Sequence, residues 1–151
     1  MDSQHYSAVP ATLRSVLLRK CECERLQSDE PKGKGAVTIK VGAELETPKH
    51  GFAPGQSFRV GIEVTVVGHS AAEGEESKEV FRTSCIVDGI FSIEDSESLS
   101  HAVLEESMPV YINRVYPLAR EHLAETLRRM GFFNVKIPFE LKREDRPEEG
   151  G

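Results

Sequence analysis

The sequence predicts an α+β domain in which a four-stranded antiparallel sheet is followed by helices that pack on one of its faces. Three observations predict this class. Apolar residues alternate with polar ones in four early segments, which is typical of half-buried strands. The loops between these segments are too short for a crossover helix, so successive strands should pair antiparallel as a meander. After Ile93 the apolar period lengthens from two residues to about 3.6, which indicates helix.

The four predicted strands differ in how clearly they alternate. The first, TLRSVLLRKCECERL, alternates only in part, whereas the third, FRVGIEVTVV, has one continuous apolar face. The second, AVTIKVGAELE, is also clean, and its apolar face comprises Val37, Ile39, Val41, Ala43 and Leu45. In the fourth, EVFRTSCIVDGIFSI, the residues Phe81, Thr83, Cys85 and Val87 share a face. Glycine, proline and serine concentrate in the loops between the segments.

The helical part of the sequence predicts a short helix and then a long one. Acidic and serine residues at 94–98 offer capping side chains, and the short helix should stop before Pro109, because the residue preceding a proline avoids the α region. Pro109 suits the first turn of the long helix, where its missing N–H leaves no hydrogen bond unmade. Pro117 lies well inside that helix and should kink it, and Gly131 marks its end.

Length and composition limit the possible functions. The chain has 151 residues, and we expect one domain over 1–141 and a disordered polar tail over 142–151. The formal net charge of -6 argues against binding to nucleic acid. No stretch is apolar enough to insert into a membrane, and the N-terminus has no secretory signal pattern. Three cysteines is an odd count that suits a reducing compartment, so we expect a cytoplasmic protein.

Candidate catalytic and metal-binding residues form no complete site. Cys21 and Cys23 share a strand face, but a metal would need two further ligands, for which the candidates are Cys85 and a histidine, and the sequence has no second C-x-C or C-x-x-C pair. Phosphate-binding glycine motifs and the nucleophile elbow are absent from the sequence. We therefore expect no enzyme activity, no cofactor and no metal. A small-ligand-binding or metal-binding α+β domain that uses these three cysteines stays open as an alternative of another class.

The sequence carries more apolar surface than one thin layer of helix should cover. Ile90, Phe91 and Ile93 follow one another closely after Gly89, and several aromatic residues come later in the chain. A single core explains most of them, and the surplus would need an oligomer interface or an apolar binding groove.

Two motifs resemble those of the SecB family of bacterial protein-export chaperones. The first is DGIFSI at 88–93, which is similar to the family's G-I-F-x-[IL] at the end of a strand. The second is NRVYPLARE at 113–121, which is similar to a helical [LV]-[FY]-P-[YF]-A-R-E in which Leu118 replaces the usual aromatic residue. The match is specific over roughly 81–133, about a third of the chain, and the strands before it agree in order and pattern only.

The resemblance implies an ATP-independent chaperone, or holdase. Such a protein would assemble as a homotetramer, a dimer of dimers, and would keep unfolded preproteins export-competent for the SecA motor of the Sec translocase. The client-binding groove would then be formed by Ile90, Phe91, Ile93, Tyr116, Val41, Leu45, Phe132 and Phe133. The oligomer interface would be formed by Phe81, Cys85, Val87, Ile112, Ala119 and Leu123.

The sequence departs from the family at two places. Arg82 and Ser84 stand where the family's motor-facing strand shows an exposed leucine and an acidic residue, which weakens the inference of docking to SecA. The chain also stops soon after Leu141, so the family's second C-terminal helix should be very short or missing. These departures suggest an alternative of the same class, namely a SecB-like chaperone dedicated to one partner such as the antitoxin of a toxin–antitoxin pair.

Overall fold

A computed structural model describes residues 10–26, 35–70, 76, 78–133 and 135–138. This part of the chain contains the strands β1 (Ala11–Arg25), β2 (Gly35–Glu46), β3 (Ser57–Ser70) and β4 (Lys78–Ile93), followed by the helix α1 (His101–Arg129). The predicted four-stranded antiparallel sheet followed by helix is confirmed. The predicted domain boundary at residue 141 and the polar tail at 142–151 lie outside the described residues.

The strand order of the sheet is β1-β4-β3-β2, and all neighbours are antiparallel. The meander holds for β2, β3 and β4, but the prediction was wrong for β1, which pairs with β4 at the opposite edge from β2. This is the order of a Greek key, in which one strand returns to lie beside a strand distant in sequence. Alternation and loop length predict strands and their direction, but they do not specify which edge the first strand joins.

The two faces of the sheet differ in character, and we call them the helix side and the polar side. On β3 and β4 the helix side carries a nearly continuous buried set that includes Val60, Ile62, Val64, Val87 and Phe91. The polar side carries charged and small residues between a few aliphatic ones. Period-2 alternation predicts this division, because consecutive side chains of a strand point to opposite faces.

The predicted short and long helices form one continuous helix, so the break at Pro109 was wrong. Both Pro109 and Pro117 lie inside α1, which spans 29 residues and begins after the N-cap Ser100. A proline removes one backbone hydrogen bond, but Leu104 before Pro109 and Tyr111 after it are both buried in the core with the sheet. Packing on both sides of the proline keeps the chain helical there.

The C-terminal end of α1 is a Schellman motif, as the glycine predicted. Gly131 has φ +91°, and its N–H donates to the carbonyl of Arg128. The N–H of Phe132 donates to the carbonyl of Leu127 at 2.9 Å. The motif turns the chain back towards the sheet, where the ring of Phe132 packs on Phe81 with a centroid distance of 4.5 Å.

The two sequence motifs meet inside the core. A Cβ added to Gly89 of DGIFSI would lie 2.4 Å from Cγ2 of Val115 in NRVYPLARE. Gly89 therefore allows α1 to approach β4 closely at this level. Phe91 stacks on Phe58 at 5.3 Å and meets the edge of Tyr111 at 4.9 Å between ring centroids. These contacts give the helix a defined position on the sheet.

Candidate functional site

The structure separates the eight predicted groove residues into three groups. Phe91, Ile93 and Tyr116 are 0%, 1% and 1% exposed, so within a single chain they belong to the core under α1. Ile90 lies on the polar side, where it lines an open depression together with Arg59. The remaining residues lie on β2 and just after α1, and they are Val41, Leu45, Phe132 and Phe133.

The six predicted interface residues are all buried within the single chain. They form part of the core between the sheet and α1, and none of them is more than 3% exposed. Periodicity identifies which face of an element is interior, but it does not distinguish an interior within one chain from one between two chains. The set comprises Phe81, Cys85, Val87, Ile112, Ala119 and Leu123.

An open apolar surface lies on the helix side of β2, and we call it the β2 strip. It consists of Val37, Ile39, Val41, Ala43 and Leu45, which share one face by their pairing with β3. The helix α1 packs mainly on β4 and β3 and to a smaller extent on β1, so the strip is covered only in part. Three of its side chains pack against the core from the edge, and Val37 is 39% exposed.

Phe133 gives a second exposed apolar group near the end of α1. Its side chain is 74% exposed, whereas Phe132 beside it is 9% exposed. An exposed phenylalanine costs hydration free energy unless something covers it, so Phe133 is a candidate contact for a partner. The sequence predicted both phenylalanines as groove positions, and the structure distinguishes their roles by burial.

The NRVYPLARE motif holds residues 137 and 138, which follow the helix. The hydroxyl of Tyr116 donates to the carbonyl of Pro138 at 2.7 Å, and Nε of Arg120 donates to the carbonyl of Ile137 at 3.1 Å. The side chain of Ile137 is itself buried. The sequence analysis missed this role, because hydrogen bonds to backbone carbonyls leave no trace in a residue pattern.

The three cysteines do not assemble a reactive or metal-binding site. Cys21 and Cys23 are exposed on β1, and Cys85 is buried opposite Cys21 on β4. Burial, with Cys21 as a smaller cause, raises the pKa of Cys85 to about 12, which makes its thiol a poor nucleophile. Within the described ranges no group of three His, Cys, Asp or Glu side chains is placed to hold a metal ion.

No helix in the described part of the chain has the length and apolarity needed to cross a membrane.

The architecture matches a solved structure with which the chain has little sequence in common. The match is to the Mycobacterium tuberculosis SecB-like chaperone Rv1957, in complex with a ChAD peptide from the HigA1 antitoxin Rv1956, with a TM-score of 0.67. It covers 85% of this chain and 90% of that chain at 12% sequence identity. The present chain has a SecB-like fold. No protein-family model matches the sequence, and the search of curated proteins finds no match either.

The SecB-like fold agrees with the resemblance in the sequence, and the two rest on different evidence. The sequence motifs cover about a third of the chain, whereas the structural match covers 85% of it. Sequence identity as low as 12% supports the fold alone.

Proposed function

We propose that this protein is a chaperone that binds extended apolar segments of non-native polypeptides on the β2 strip. The observation that carries the proposal is the strip itself, an open row of aliphatic side chains beside the helix of a SecB-like fold. Five alternate residues of one strand present side chains along about 26–27 Å, since a strand rises about 3.3 Å per residue. A client strand of similar length fits such a surface.

Binding would draw its free energy from apolar burial. Each Å² of apolar surface removed from water contributes about 25 cal/mol, so a segment that buries about 400 Å² gains about 10 kcal/mol before the cost of ordering the client. Ordering the client costs about 2–5 kcal/mol, which leaves about 5–8 kcal/mol and a Kd between about 1 μM and about 0.2 mM, so binding is reversible. Aliphatic contacts discriminate weakly between sequences, and a chaperone for many clients needs that tolerance.

The proposed activity needs no catalysis and no nucleotide. The buried Cys85 thiol is a poor nucleophile, and the exposed thiols on β1 have no arrangement of three potential ligands around them in the described residues. The metal- or ligand-binding alternative therefore has less support than the chaperone. The three unpaired thiols suit the reducing cytoplasm, where we place the activity.

Two client classes fit the same surface, and we propose a general export holdase and a dedicated antitoxin chaperone as the competing forms. The solved neighbour was bound to an antitoxin peptide, which favours the dedicated form. Arg82 and Ser84 also favour it, because they stand where the SecB family shows an exposed leucine and an acidic residue to SecA. The exposed side chain of Arg82 pairs with Glu79 at 2.8 Å, and half-buried Ser84 lies on the same face of β4 as Arg82.

We also propose that the chain assembles with itself as a homotetramer. The predicted interface residues are buried within one chain, so the contacts must come from apolar groups that remain exposed. Leu17 and Leu18 on β1 are 57% and 46% exposed, and Val110 and Leu118 on α1 are 50% and 38% exposed. Light scattering that gives the mass of a single chain at micromolar concentration would contradict this proposal.

Co-purification from the native host tests the function. The protein is isolated with and without the substitution Val37→Asp, and captured proteins are identified by mass spectrometry. Many envelope precursors that depend on Val37 indicate export, and one antitoxin that depends on Val37 indicates the dedicated form. Capture that is equal for the wild type and the variant contradicts the assignment of the β2 strip.

A further inference from the structure

The polar side of the sheet carries five charged side chains that connect all four strands. Nη1 of Arg59 on β3 donates to Asp88 on β4 at 2.8 Å and to Glu44 on β2 at 3.1 Å, and its Nε donates to Glu46 at 3.0 Å. Arg19 on β1 lies 3.1 Å from the other oxygen of Asp88 and also bonds to Glu44. Side chains thus join the two edge strands across the two central ones. We call this set the charge network.

Gly61 of β3 provides the space that the charge network occupies. A Cβ at this position would lie 2.6 Å from Nη1 of Arg59, 2.9 Å from Oδ1 of Asp88 and 3.1 Å from Nη2 of Arg19. By contrast, a Cβ at Gly42 on the same face would meet nothing within 4 Å. The absence of a side chain at Gly61 therefore leaves room for the charged groups of the network.

Arg19 lies at a β-bulge of β1. Leu18 pairs with Val87 and Lys20 pairs with Ile86, so Arg19 is an extra residue between two consecutive partners on β4. A bulge of this kind changes the direction of a side chain and strengthens the local twist. From this position the guanidinium of Arg19 reaches over β4 to Glu44 on β2.

The network acts on the strand that carries the β2 strip. β2 is an edge strand that hydrogen-bonds only to β3 within the described sheet, and α1 packs mainly on the other three strands. Glu44 and Glu46 alternate with Ala43 and Leu45 of the strip on opposite faces of β2. Contacts with these carboxylates on the polar side are therefore contacts with the strand that carries the strip.

We propose that Arg19 is a positioning residue for the β2 strip, acting through Asp88 and Glu44 to hold the edge strand in its client-binding orientation. The effect of Arg19 on client binding rests on the proposed function of the β2 strip. Its structural part, the coupling of β1 to β2 across the polar side, is independent of any client.

The test compares Arg19→Gln with Arg14→Gln in the full chain. Arg14 is a matched control, since it is also on β1 and pairs with Glu94 at 3.5 Å with both side chains more than half exposed. Hydrogen exchange of β2 amides reports strand positioning. Client binding is measured as the dissociation rate of a fluorescent peptide made of Leu, Val and Gln with blocked termini. Because this peptide carries no charge, the loss of the Arg19 charge does not act on it directly.

Arg19→Gln is expected to speed β2 amide exchange by about two- to fivefold, because it removes a charged partner of two carboxylates, while the Arg19–Glu44 pair is about half exposed and Arg59 still bonds to both carboxylates. The peptide dissociation rate should rise with it, and Arg14→Gln should change neither quantity. Glu44→Gln should have a smaller effect in the Arg19→Gln background than in the wild type, because the bond to Arg19 is already lost and only the bond to Arg59 remains to be removed. Gly61→Ala should reproduce the effect, and Gly42→Ala should not.

Two results overturn the proposal. One is β2 exchange that is unchanged in Arg19→Gln, and the other is a full additive effect of Glu44→Gln on top of it. If the wild-type chain binds no peptide, the proposed function fails for that client class. Amide exchange then decides alone whether Arg19 positions β2.

Discussion

Replacing Gly89 by alanine introduces a methyl group into the closest approach between β4 and α1. The new Cβ would lie 2.4 Å from Cγ2 of Val115 and 3.1 Å from Cε2 of Phe91. Ordinary contact begins at 3.4 Å, so the first pair must separate by about 1 Å. Val115 cannot easily rotate away, because a valine in a helix strongly prefers one rotamer. The helix itself must therefore move.

The expected cost follows from two opposing effects. Overpacking a close-packed core destabilises by about 1–3 kcal/mol. Exchanging glycine for alanine restricts the unfolded chain and returns about 0.4–1 kcal/mol where the backbone is compatible. Gly89 has no positive φ, so the second effect applies. The two ranges combine to a net loss of about 0–2.6 kcal/mol, centred near about 1.3 kcal/mol, which is a fall in Tm of about 3–5 °C for a domain of this size.

Urea denaturation followed by circular dichroism measures the loss. Gly42→Ala is the control, because its Cβ meets nothing and the variant should be neutral or slightly more stable. Val115→Ala should partly restore Gly89→Ala by making room, with a coupling free energy of about 1 kcal/mol. A stability for Gly89→Ala within about 0.3 kcal/mol of the control would refute the account of helix docking.

Three further predictions concern single groups. Thiol labelling of the native protein at neutral pH should modify the two exposed thiols quickly and Cys85 only after denaturation, because burial raises the pKa of Cys85 to about 12. The pKa of Glu44 is lowered from 4.5 by hydrogen bonds from arginines, so its contribution to stability is present above that value and is lost as the pH falls through the lower folded pKa. Urea midpoints measured as the pH is lowered from about 6 to about 3 should fall less steeply in Glu44→Gln. Tyr116→Phe removes the bond to Pro138, so it should cost about 0.5–1.5 kcal/mol in urea denaturation and speed amide exchange after α1.

Local patterns in the sequence predicted the elements well, since alternation depends on each strand's own exposure. The cleanly alternating faces of β3 and β4 and the Schellman end at Gly131 all agree with the structure. The partial alternation of β1 is explained by its edge position, where most of its residues are exposed. Its partner strand was not predictable, because the pairing depends on contacts distant in sequence.

The sequence did not show which of the predicted site residues are covered within the single chain, and the reason is physical. A motif rich in apolar residues predicts that its side chains are buried, but it does not distinguish burial in the core of the same chain from burial against a partner. Phe91 and Tyr116 carry the family resemblance, but they hold the helix on the sheet rather than face solvent. Val37 and Ile39 belong to the same alternation as Val41, so that signal was present in the sequence. The position of α1 on β4, β3 and β1 determines which apolar residues of the sheet stay exposed to solvent.

The charge network also lay beyond the sequence. Arg19 and Glu44 are 25 residues apart and lie on strands at opposite edges of the sheet. Neither the bulge at Arg19 nor the matching glycine on β3 has a distinctive sequence pattern. Their connection appears only when the strand order is known.

The most direct measurement of the central claim compares two adjacent residues on β2. Val37 belongs to the strip, and Thr38 is its exposed neighbour on the polar side, so Val37→Asp and Thr38→Asp make the same charge change on opposite faces. Affinity for reduced and carboxymethylated α-lactalbumin, a permanently unfolded protein, is measured by isothermal titration calorimetry. The account predicts binding by the wild type and by Thr38→Asp, and about tenfold or more weaker binding by Val37→Asp, because a carboxylate resists burial under an apolar client. Equal affinities for the two variants, or no binding by the wild type, would contradict it.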